Sequence, residues 1–360
     1  MRRVMAGLLM LLLMPVCAMA APDTPYAPET VLQTEPLSDG ALAALEGLYP
    51  AIRRCEEQIE LPEGTRYDDV SAAMSCLSRN YPELFHLRNE WAIGYFQDAP
   101  AYATVVKPAY TMSYWEYESV LSRLLETARN MAVVVSGSQA DRAETLHDLL
   151  CERASYDRSE TLDADNTAVG ALLVGVTRCE GYAQALSLLY RLSGIPCGVV
   201  TGDAGTGLDV SRHAWNAAVI DGTPTLIDAT WNDQEGNSCV THWYYGLTDA
   251  MMAADHVPDP EFSLPVMNAI TVNWHARRGL LVTDSAGLYA AIRRFALEGE
   301  ISIRFADSAL YADFISRTND WLNDYNAMSA PGEAFYGSFG VIFADEQLCA
   351  MLAAVEVEGP

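Results

Sequence analysis

The sequence predicts an α+β fold in which a helix packs on an antiparallel sheet, flanked by smaller N- and C-terminal α/β units. Thr177 and Glu180 have the spacing of a capping box, and apolar residues then recur with helical period, so a helix should start here. Two apolar runs further on flank Asp221-Gly222, a dipeptide typical of a β-hairpin turn. This helix and this hairpin form the predicted centre of the fold.

The chain divides into five predicted segments. Prolines and acidic residues crowd the stretch after the N-terminal apolar run, which is the composition of a linker. Pro258-Asp259-Pro260 marks a boundary on the C-terminal side of the hairpin. The segments are a signal peptide (1–20), a linker (21–38), an N-terminal α/β unit (39–135), a central domain (136–257) and a C-terminal α/β unit (261–360).

The N-terminal segment has the parts of a secretory signal. Arg2 and Arg3 precede an apolar run over residues 4–16, and small residues follow at an A-x-A site over 18–20. The apolar run is shorter than the roughly 20 residues that a membrane-spanning helix needs. We therefore expect cleavage after Ala20 and a secreted or cell-surface protein. Lipid attachment at Cys17 is the alternative, but the residue before it is not the small one that such signals carry.

Periodicity predicts the elements on either side of the central helix and hairpin. Helices are expected at residues 68–80, 114–134, 139–153, 285–298 and 309–323, and strands at 91–96, 102–106, 269–276, 301–305 and 336–343. No catalytic group stands out in the C-terminal unit.

The charge of the chain restricts its partners. A formal net charge of -26 at pH 7 excludes a basic track for nucleic acid and argues against adhesion to anionic lipid. We expect that the chain does not bind nucleic acid. Once the signal is removed, we expect that it is not an integral membrane protein.

The chain contains eight cysteines. With Cys17 in the signal, an odd number remains, so at least one thiol lacks an intramolecular partner. If Cys179 is that thiol, six others are left, either paired in a way that the sequence does not decide or buried as unpaired residues. They are Cys55, Cys76, Cys151, Cys197, Cys239 and Cys349.

Cys179 lies in the first turn of the predicted central helix, with Thr177 as the expected N-cap. Unpaired amide hydrogens and the helix dipole stabilise negative charge at this end of a helix. They lower the pKa of a thiol and favour the nucleophilic thiolate. A cysteine that only filled the core would be expected further along the apolar face.

The hairpin places a histidine and a carboxylate on one face of the sheet. A two-residue turn puts His213 opposite Thr230, and a four-residue turn puts it opposite Asn232. Either turn leaves Asp228 on the same face as His213. A thiolate, an imidazole that carries the proton and a carboxylate that orients the imidazole are the groups that acyl transfer requires. We therefore predict Cys179, His213 and Asp228 as nucleophile, base and orienting residue.

Four motifs occur in order along this region: C-E-G-Y-A-Q-A-L from Cys179, G-I-P-C from Gly194, H-A-W-N from His213 and D-A-T-W-N-D from Asp228. Together they closely resemble the bacterial transglutaminase-like superfamily. The resemblance implies a papain-like transglutaminase core, a nucleophile helix packed on an antiparallel sheet, and a catalytic triad in the order cysteine, histidine, aspartate. The central segment would then be the transglutaminase-like catalytic domain.

The resemblance is strong over residues 140–235 and loose elsewhere. Segments 146–157 and 166–173 also look familial. Val169 departs from the pattern, because many relatives have a tyrosine there; a contribution of that tyrosine to the acyl site would be missing.

Three functions follow from this resemblance. The chain would be a hydrolase of peptide or other amide bonds, a transglutaminase that joins an acyl donor to an amine, or a non-catalytic cell-surface binding module. The complete triad disfavours the third, and hydrolysis is preferred because exported bacterial relatives resemble proteases. Expected substrates are proteins or peptides, cell-wall peptide among them.

Neither a metal nor a cofactor is expected. His147, His242 and His256 lack the spacing of zinc ligands, and no calcium-binding loop of the D-x-D-x-D-G type occurs.

Overall fold

The computed structural model describes residues 24–159, 166–233, 240–330 and 333–355. The predicted signal peptide, Cys17 and Cys239 lie outside these residues. Among the described helices, none is both long and apolar enough to cross a membrane. Helices and mostly antiparallel strands confirm the predicted α+β class.

In the N-terminal unit, two helices pack on a small sheet. The elements are α1 (Asp39–Arg53), β1 (Ile59–Glu60), α2 (Tyr67–Asn80), β2 (Leu87–Phe96) and β3 (Ala99–Tyr110). The strands pair antiparallel in the order β1-β3-β2. Leu48, Leu77 and Val106 are among the buried side chains between helices and sheet. The predicted helix and both predicted strands of this unit are present.

The central domain is built around one helix and a five-stranded sheet. The elements are α3 (Tyr114–Val134), α4 (Gln139–Arg153), β4 (Ser155–Tyr156), β5 (Val176–Thr177), α5 (Cys179–Leu192), β6 (Cys197–Ala204), β7 (Ser211–Ile220), β8 (Thr223–Ile227), α6 (Ala229–Asn232), β9 (Tyr245–Leu247), α7 (Asp249–Met252) and β10 (His256–Pro258). The sheet is antiparallel in the order β10-β6-β7-β8-β9. Helix α5 packs on β6 and β7, while α3 and α4 contact other parts of α5. The sequence assigns α3 to the N-terminal unit. In the structure α3 packs on α5 of the central domain, where Leu124 shares an apolar cluster with Leu189.

Helix α5 begins one residue later than a capping box at Thr177 would require. Its N-cap is Arg178, and no side chain caps the helix. Thr177 instead belongs to β5, where it pairs in parallel with Tyr156 of β4. The predicted capping box is therefore wrong because strand pairing holds Thr177. Cys179 becomes the first residue of the helix.

The β7–β8 hairpin has the two-residue turn of the shorter prediction. Ile220 pairs with Thr223, and Asp221 and Gly222 both have positive φ, as a type I′ turn requires. The second strand ends at Ile227, earlier than the apolar run suggests. Asp228 terminates it because this residue caps α6, accepting backbone N–H groups with its side chain.

Residues 24–38 do not form the linker that their composition predicts. Tyr26, Val31 and Leu32 are buried, and the N–H of Leu32 donates to the carbonyl of Cys197 at 3.1 Å. The hydroxyl of Tyr26 donates to Glu83. The segment is thus a strap across the N-terminal unit and the central domain. Its few apolar residues are separated by prolines and form no periodic pattern, which is why composition misses them.

The C-terminal unit is a second α/β layer. Its elements are α8 (Trp274–Arg277), β11 (Leu281–Val282), α9 (Ser285–Glu298), β12 (Glu300–Phe305), α10 (Ser308–Met328), β13 (Ser338–Ala344) and β14 (Cys349–Val355), with the strand order β11-β12-β14-β13. The strand predicted at residues 269–276 is wrong, because Asn273 caps α8 and accepts the N–H of Ala276. The other predicted elements are present. Arg304 connects the unit to the central domain by donating to the carbonyl of Trp243.

Candidate active site

Cys179 occupies the N-terminal end of α5, facing the sheet. Its half-buried side chain packs beside Ala183 of the same helix, Val199 of β6 and Ala214 of β7. The first backbone N–H groups of a helix have no partners within the helix, so this end favours negative charge. Cys179 therefore lies at the end of α5 that favours negative charge.

His213 lies on β7, opposite Gly202 of β6, with its ring buried. Its Nε2 is 2.7 Å from Oδ2 of Asp228, which leaves Nδ1 as the ring nitrogen available to Cys179. Burial lowers the pKa of His213, but the charges and hydrogen bonds of Asp228 and Cys179 outweigh burial and raise the pKa to about 10. His213 is therefore an imidazolium at neutral pH.

Asp228 is fully buried at the N-cap of α6. Oδ1 accepts the backbone N–H groups of Thr230 and Trp231 at 2.9 and 3.2 Å, and Oδ2 faces His213. Burial raises the pKa of Asp228, but His213 and further hydrogen bonds lower it well below its usual range. The three residues predicted from the sequence thus come together, with the carboxylate ionised.

Aromatic rings surround the imidazole of His213. The ring centroid of Trp231 is 5.3 Å from that of His213, and that of Trp215 is 6.2 Å away. Trp215 is buried, whereas Trp231 is only half-buried. The rings limit the access of water to the ion pair, which strengthens its electrostatic interaction.

His256 is a residue of this site that sequence reasoning missed. Strand β10 pairs with β6 and brings Nε2 of His256 to 3.2 Å from Oδ2 of Asp228. Its Nδ1 is 2.6 Å from Oδ1 of Asp255. No local spacing indicates this contact, because it depends on the pairing of two strands that are distant in sequence.

A second group of histidines lies on α4 and before β9. Oδ1 of Asp148 is 2.8 Å from Nδ1 of His147 and from Nε2 of His242. The side-chain amide of Asn232 donates to Nε2 of His147, and its orientation is fixed because Oδ1 of Asn232 accepts the N–H of Tyr244. Nδ1 of His147 must then carry the hydrogen and donate to Asp148.

Both histidine groups place three donor atoms within 4.8 Å of one another, close enough to surround a metal ion. In the group of His147, Asp148 and His242, the two nitrogens of His147 are already committed to hydrogen bonds. A metal at this position would have to displace one of them. The geometry therefore fits a hydrogen-bonded support beneath α6 better than a ligand set.

The other described cysteines are free thiols that differ from Cys179 in environment. Burial raises the pKa of Cys76 and Cys197 to about 12 and that of Cys349 to about 11. Burial also raises the pKa of Cys151. These thiols are held in the protonated, unreactive form, and no disulfide joins the cysteines in the described part of the chain.

A cysteine at the start of a helix, beside a histidine–aspartate pair on an antiparallel sheet, is the arrangement of groups that cysteine-dependent acyl transfer requires. Residues 127–231 match the sequence profile of the transglutaminase-like superfamily. This match covers the part of the central domain that carries Cys179, His213 and Asp228.

Two curated relatives align with part of the chain. Kyphoscoliosis peptidase from Homo sapiens is 28% identical over 137 residues, which cover 33% of this chain and 21% of the relative. Kyphoscoliosis peptidase from Mus musculus is 27% identical over 140 residues, covering 34% and 21%. The chain thus spans about a fifth of the length of these relatives.

Two solved structures align with part of this chain. A candidate cysteine protease from Cytophaga hutchinsonii has a TM-score of 0.26 and 14% identity, covering 39% of this chain and 61% of that chain. A TGase structure has a TM-score of 0.26 and 15% identity, covering 50% of each chain.

Proposed function

We propose that this protein is an exported cysteine-dependent acyl-transfer enzyme that hydrolyses peptide or other amide bonds through a thioester at Cys179. The observation that carries the proposal is the position of Cys179 at the first residue of α5, beside a buried His213 that is 2.7 Å from Asp228. Transglutaminase-like superfamily members are typically enzymes, which agrees with this assignment.

In the acylation step, the Cys179 thiolate attacks the carbonyl carbon of the substrate. Backbone N–H groups at the start of α5 stabilise the negative charge that develops on the oxygen. The His213 imidazolium gives its Nδ1 proton to the departing amine, the C–N bond breaks, and the acyl group remains on sulfur. Asp228 keeps the imidazole oriented and stabilises its charged form.

In the deacylation step, neutral His213 takes a proton from water, whose oxygen attacks the thioester carbon. The C–S bond breaks, releasing a carboxylic acid and restoring the thiolate–imidazolium pair. An amine in place of water would give transglutaminase chemistry at the same residues. Hydrolysis is proposed because the aligned relatives are named as peptidases. Proteins and peptides, cell-wall peptide included, are the proposed substrates.

Export rests on the composition of residues 1–20. Mass spectrometry of the protein recovered from its host should find Ala21 at the N-terminus. A lipid-modified Cys17 at the N-terminus would favour the lipoprotein alternative instead, and an intact Met1 would contradict export.

A product assay tests the activity. The protein is incubated with a peptide mixture, and in parallel with a glutamine peptide plus a primary amine. Cleaved peptides that have gained the elements of water support hydrolysis, whereas an amine-linked product that has lost ammonia supports transglutamination.

Two cysteine variants control this assay. Cys179→Ala should abolish product formation, whereas Cys55→Ser, at another half-buried thiol, should retain it. An active Cys179→Ala protein would contradict the cysteine mechanism. Unaltered binding without turnover of any substrate would favour the binding module.

A further inference from the structure

The carboxylate of Asp228 is shared by two histidines, of which the proposed reaction uses one. Oδ2 of Asp228 lies 2.7 Å from Nε2 of His213 and 3.2 Å from Nε2 of His256. The second ring nitrogen of His256, Nδ1, lies 2.6 Å from Oδ1 of Asp255. The ring of His256 is buried, so water does not replace either contact.

Both ring nitrogens of His256 therefore face carboxylate oxygens. An ionised carboxylate only accepts hydrogen bonds, and a neutral imidazole donates from one nitrogen only. Both contacts are satisfied together when His256 is the doubly protonated imidazolium. Burial lowers the pKa of His256, but hydrogen bonds and charges from Asp228 and Asp255 outweigh it and raise the pKa.

The surroundings of His256 hold this arrangement in place. The hydroxyl of Tyr244 donates to Oδ2 of Asp255 at 2.7 Å, and Gln347 of the C-terminal unit donates to the same oxygen at 3.2 Å. The titratable groups that face His256 are thus Asp255 beside it, Asp228 at the cap of α6, His213 on β7 and the Tyr244 hydroxyl.

Two tryptophans enclose the same ring. The ring centroids of Trp215 and Trp231 lie 5.0 and 4.5 Å from that of His256, both edge to face. They keep solvent away from the contact between His256 and Asp228, so a charge on His256 acts at short range with little screening.

We propose that His256 is a positioning residue that sets the proton affinity of His213 through their shared carboxylate, Asp228. This inference rests on the proposed function of Cys179 and His213. The ring centroids of the two histidines are 5.4 Å apart, so a positive charge on His256 repels a positive charge on His213. It also partly neutralises the negative charge of Asp228. His213 then releases its proton to a leaving amine more readily than it would beside an unshared carboxylate.

The first test needs no substitution. Nitrogen-15 NMR of the histidine rings in the full chain distinguishes an imidazolium from either neutral tautomer. At pH 7, both ring nitrogens of His256 are expected to be protonated. A neutral His256 at this pH would overturn the proposal.

The second test follows the titration of His213 in His256→Gln. Glutamine can still donate to Asp228, but it carries no charge. Removing the neighbouring positive charge should raise the pKa of His213 by about two pH units, as the Coulomb interaction at this separation predicts for an effective dielectric constant near 20. The alkaline limb of turnover should move in the same direction. A variant that only melts earlier, with the His213 titration unchanged, would overturn the proposal.

Two further variants keep this test interpretable. Asp255→Asn removes one of the two carboxylates that hold His256 charged, so a smaller upward shift of the His213 pKa is expected even if His256→Gln does not fold. His275→Gln removes another buried histidine, which bonds to Ser302, and should leave the His213 titration unchanged.

The outcomes also separate this inference from the proposed function. If the His213 titration does not respond while turnover still requires Cys179, the role of His256 alone is wrong. If Cys179→Ala remains active, the proposed function is wrong, whatever the state of His256.

Discussion

Asp228 binds His213 with one carboxylate oxygen and its own helix with the other. Oδ2 lies 2.7 Å from Nε2 of His213, while Oδ1 accepts the N–H groups of Thr230 and Trp231. The backbone of α6 therefore fixes the carboxylate independently of the histidine. A rigid carboxylate selects one orientation of the imidazole and directs Nδ1 towards Cys179.

Asp228→Asn should separate the electrostatic role of this residue from its structural role. Asparagine is as good an N-cap as aspartate, so α6 should keep its cap. Loss of the buried ion pair with His213 should still lower the free energy of unfolding by about 3 kcal/mol. Turnover should fall by roughly 10⁴-fold, the size of the same change in a serine triad, because an amide does not stabilise the imidazolium. Thermal midpoints and kcat of both proteins test this.

Asp228→Ala provides the control, because it removes charge and cap together. It should lose turnover to a similar extent and in addition destabilise α6 by about 1 kcal/mol. Asp228→Asn activity above a tenth of the parent's would show that the carboxylate is not the orienting group.

Cys179 should be the most reactive thiol of the folded protein. It is half-buried beside an imidazolium, whereas burial raises the pKa of Cys76, Cys151, Cys197 and Cys349. Labelling with an iodoacetamide probe near pH 7, followed by peptide mapping, should find Cys179 modified first. His213→Gln should slow that labelling selectively. Faster modification of Cys151 in native protein would refute the nucleophile assignment.

The β7–β8 hairpin shows which part of this site the sequence predicts and which part it does not. The alternation of side chains along a strand predicts that His213 and Asp228 share a face, and the observed two-residue turn has the required even length. The prediction of a continuous strand fails at Asp228, because an aspartate that finds free backbone N–H groups caps a helix instead.

Other features depend on contacts that local patterns do not contain. His256 reaches Asp228 only because β10 pairs with β6, and nothing in the neighbouring sequence specifies that partner. Tyr26 and Val31 belong to the strap and are buried against the N-terminal unit and the central domain. In the sequence they are isolated apolar residues near prolines, a pattern that resembles a linker. Apolar periodicity predicts most individual elements, whereas long-range pairing decides which of them meet.

The free energy of unfolding should depend on pH through the ion pair between His213 and Asp228. Because the pKa of His213 rises from 6.5 to about 10 on folding, its contribution is complete below about pH 6.5 and is lost as the pH rises through about 10. The lowered pKa of Asp228 acts at the other end: its contribution is present above about pH 4 and is lost as the pH falls through the folded pKa.

Urea unfolding between pH 4 and 10 measures this dependence. The free energy of unfolding of the parent should decline from about pH 6.5 upward, and His213→Gln should show a weaker alkaline decline. Equal slopes in the two proteins would mean that the His213–Asp228 pair is not formed in solution.

Arg191 should be a main determinant of stability at the far end of the helix that begins with Cys179. The side chain is buried; its Nε donates to the carbonyl of Cys197, and its Nη1 donates to the hydroxyl of Tyr26 and the carbonyl of Asn80. It thereby joins α5, the N-terminal strap, α2 and β6. Arg191→Met removes the donors to the buried carbonyl groups of Cys197 and Asn80 and to the hydroxyl of Tyr26.

The expected loss for Arg191→Met is about 3 kcal/mol or more in the free energy of unfolding, because each buried acceptor left without a donor costs about 1–3 kcal/mol. Arg294→Gln is the matched control: this arginine pairs with Glu298 one turn along an exposed helix face, and its loss should cost about 0.5 kcal/mol or less. The urea midpoints of the parent, Arg191→Met and Arg294→Gln test this prediction. If the two variants unfold at the same midpoint, the strap and helix α5 are not held together by Arg191.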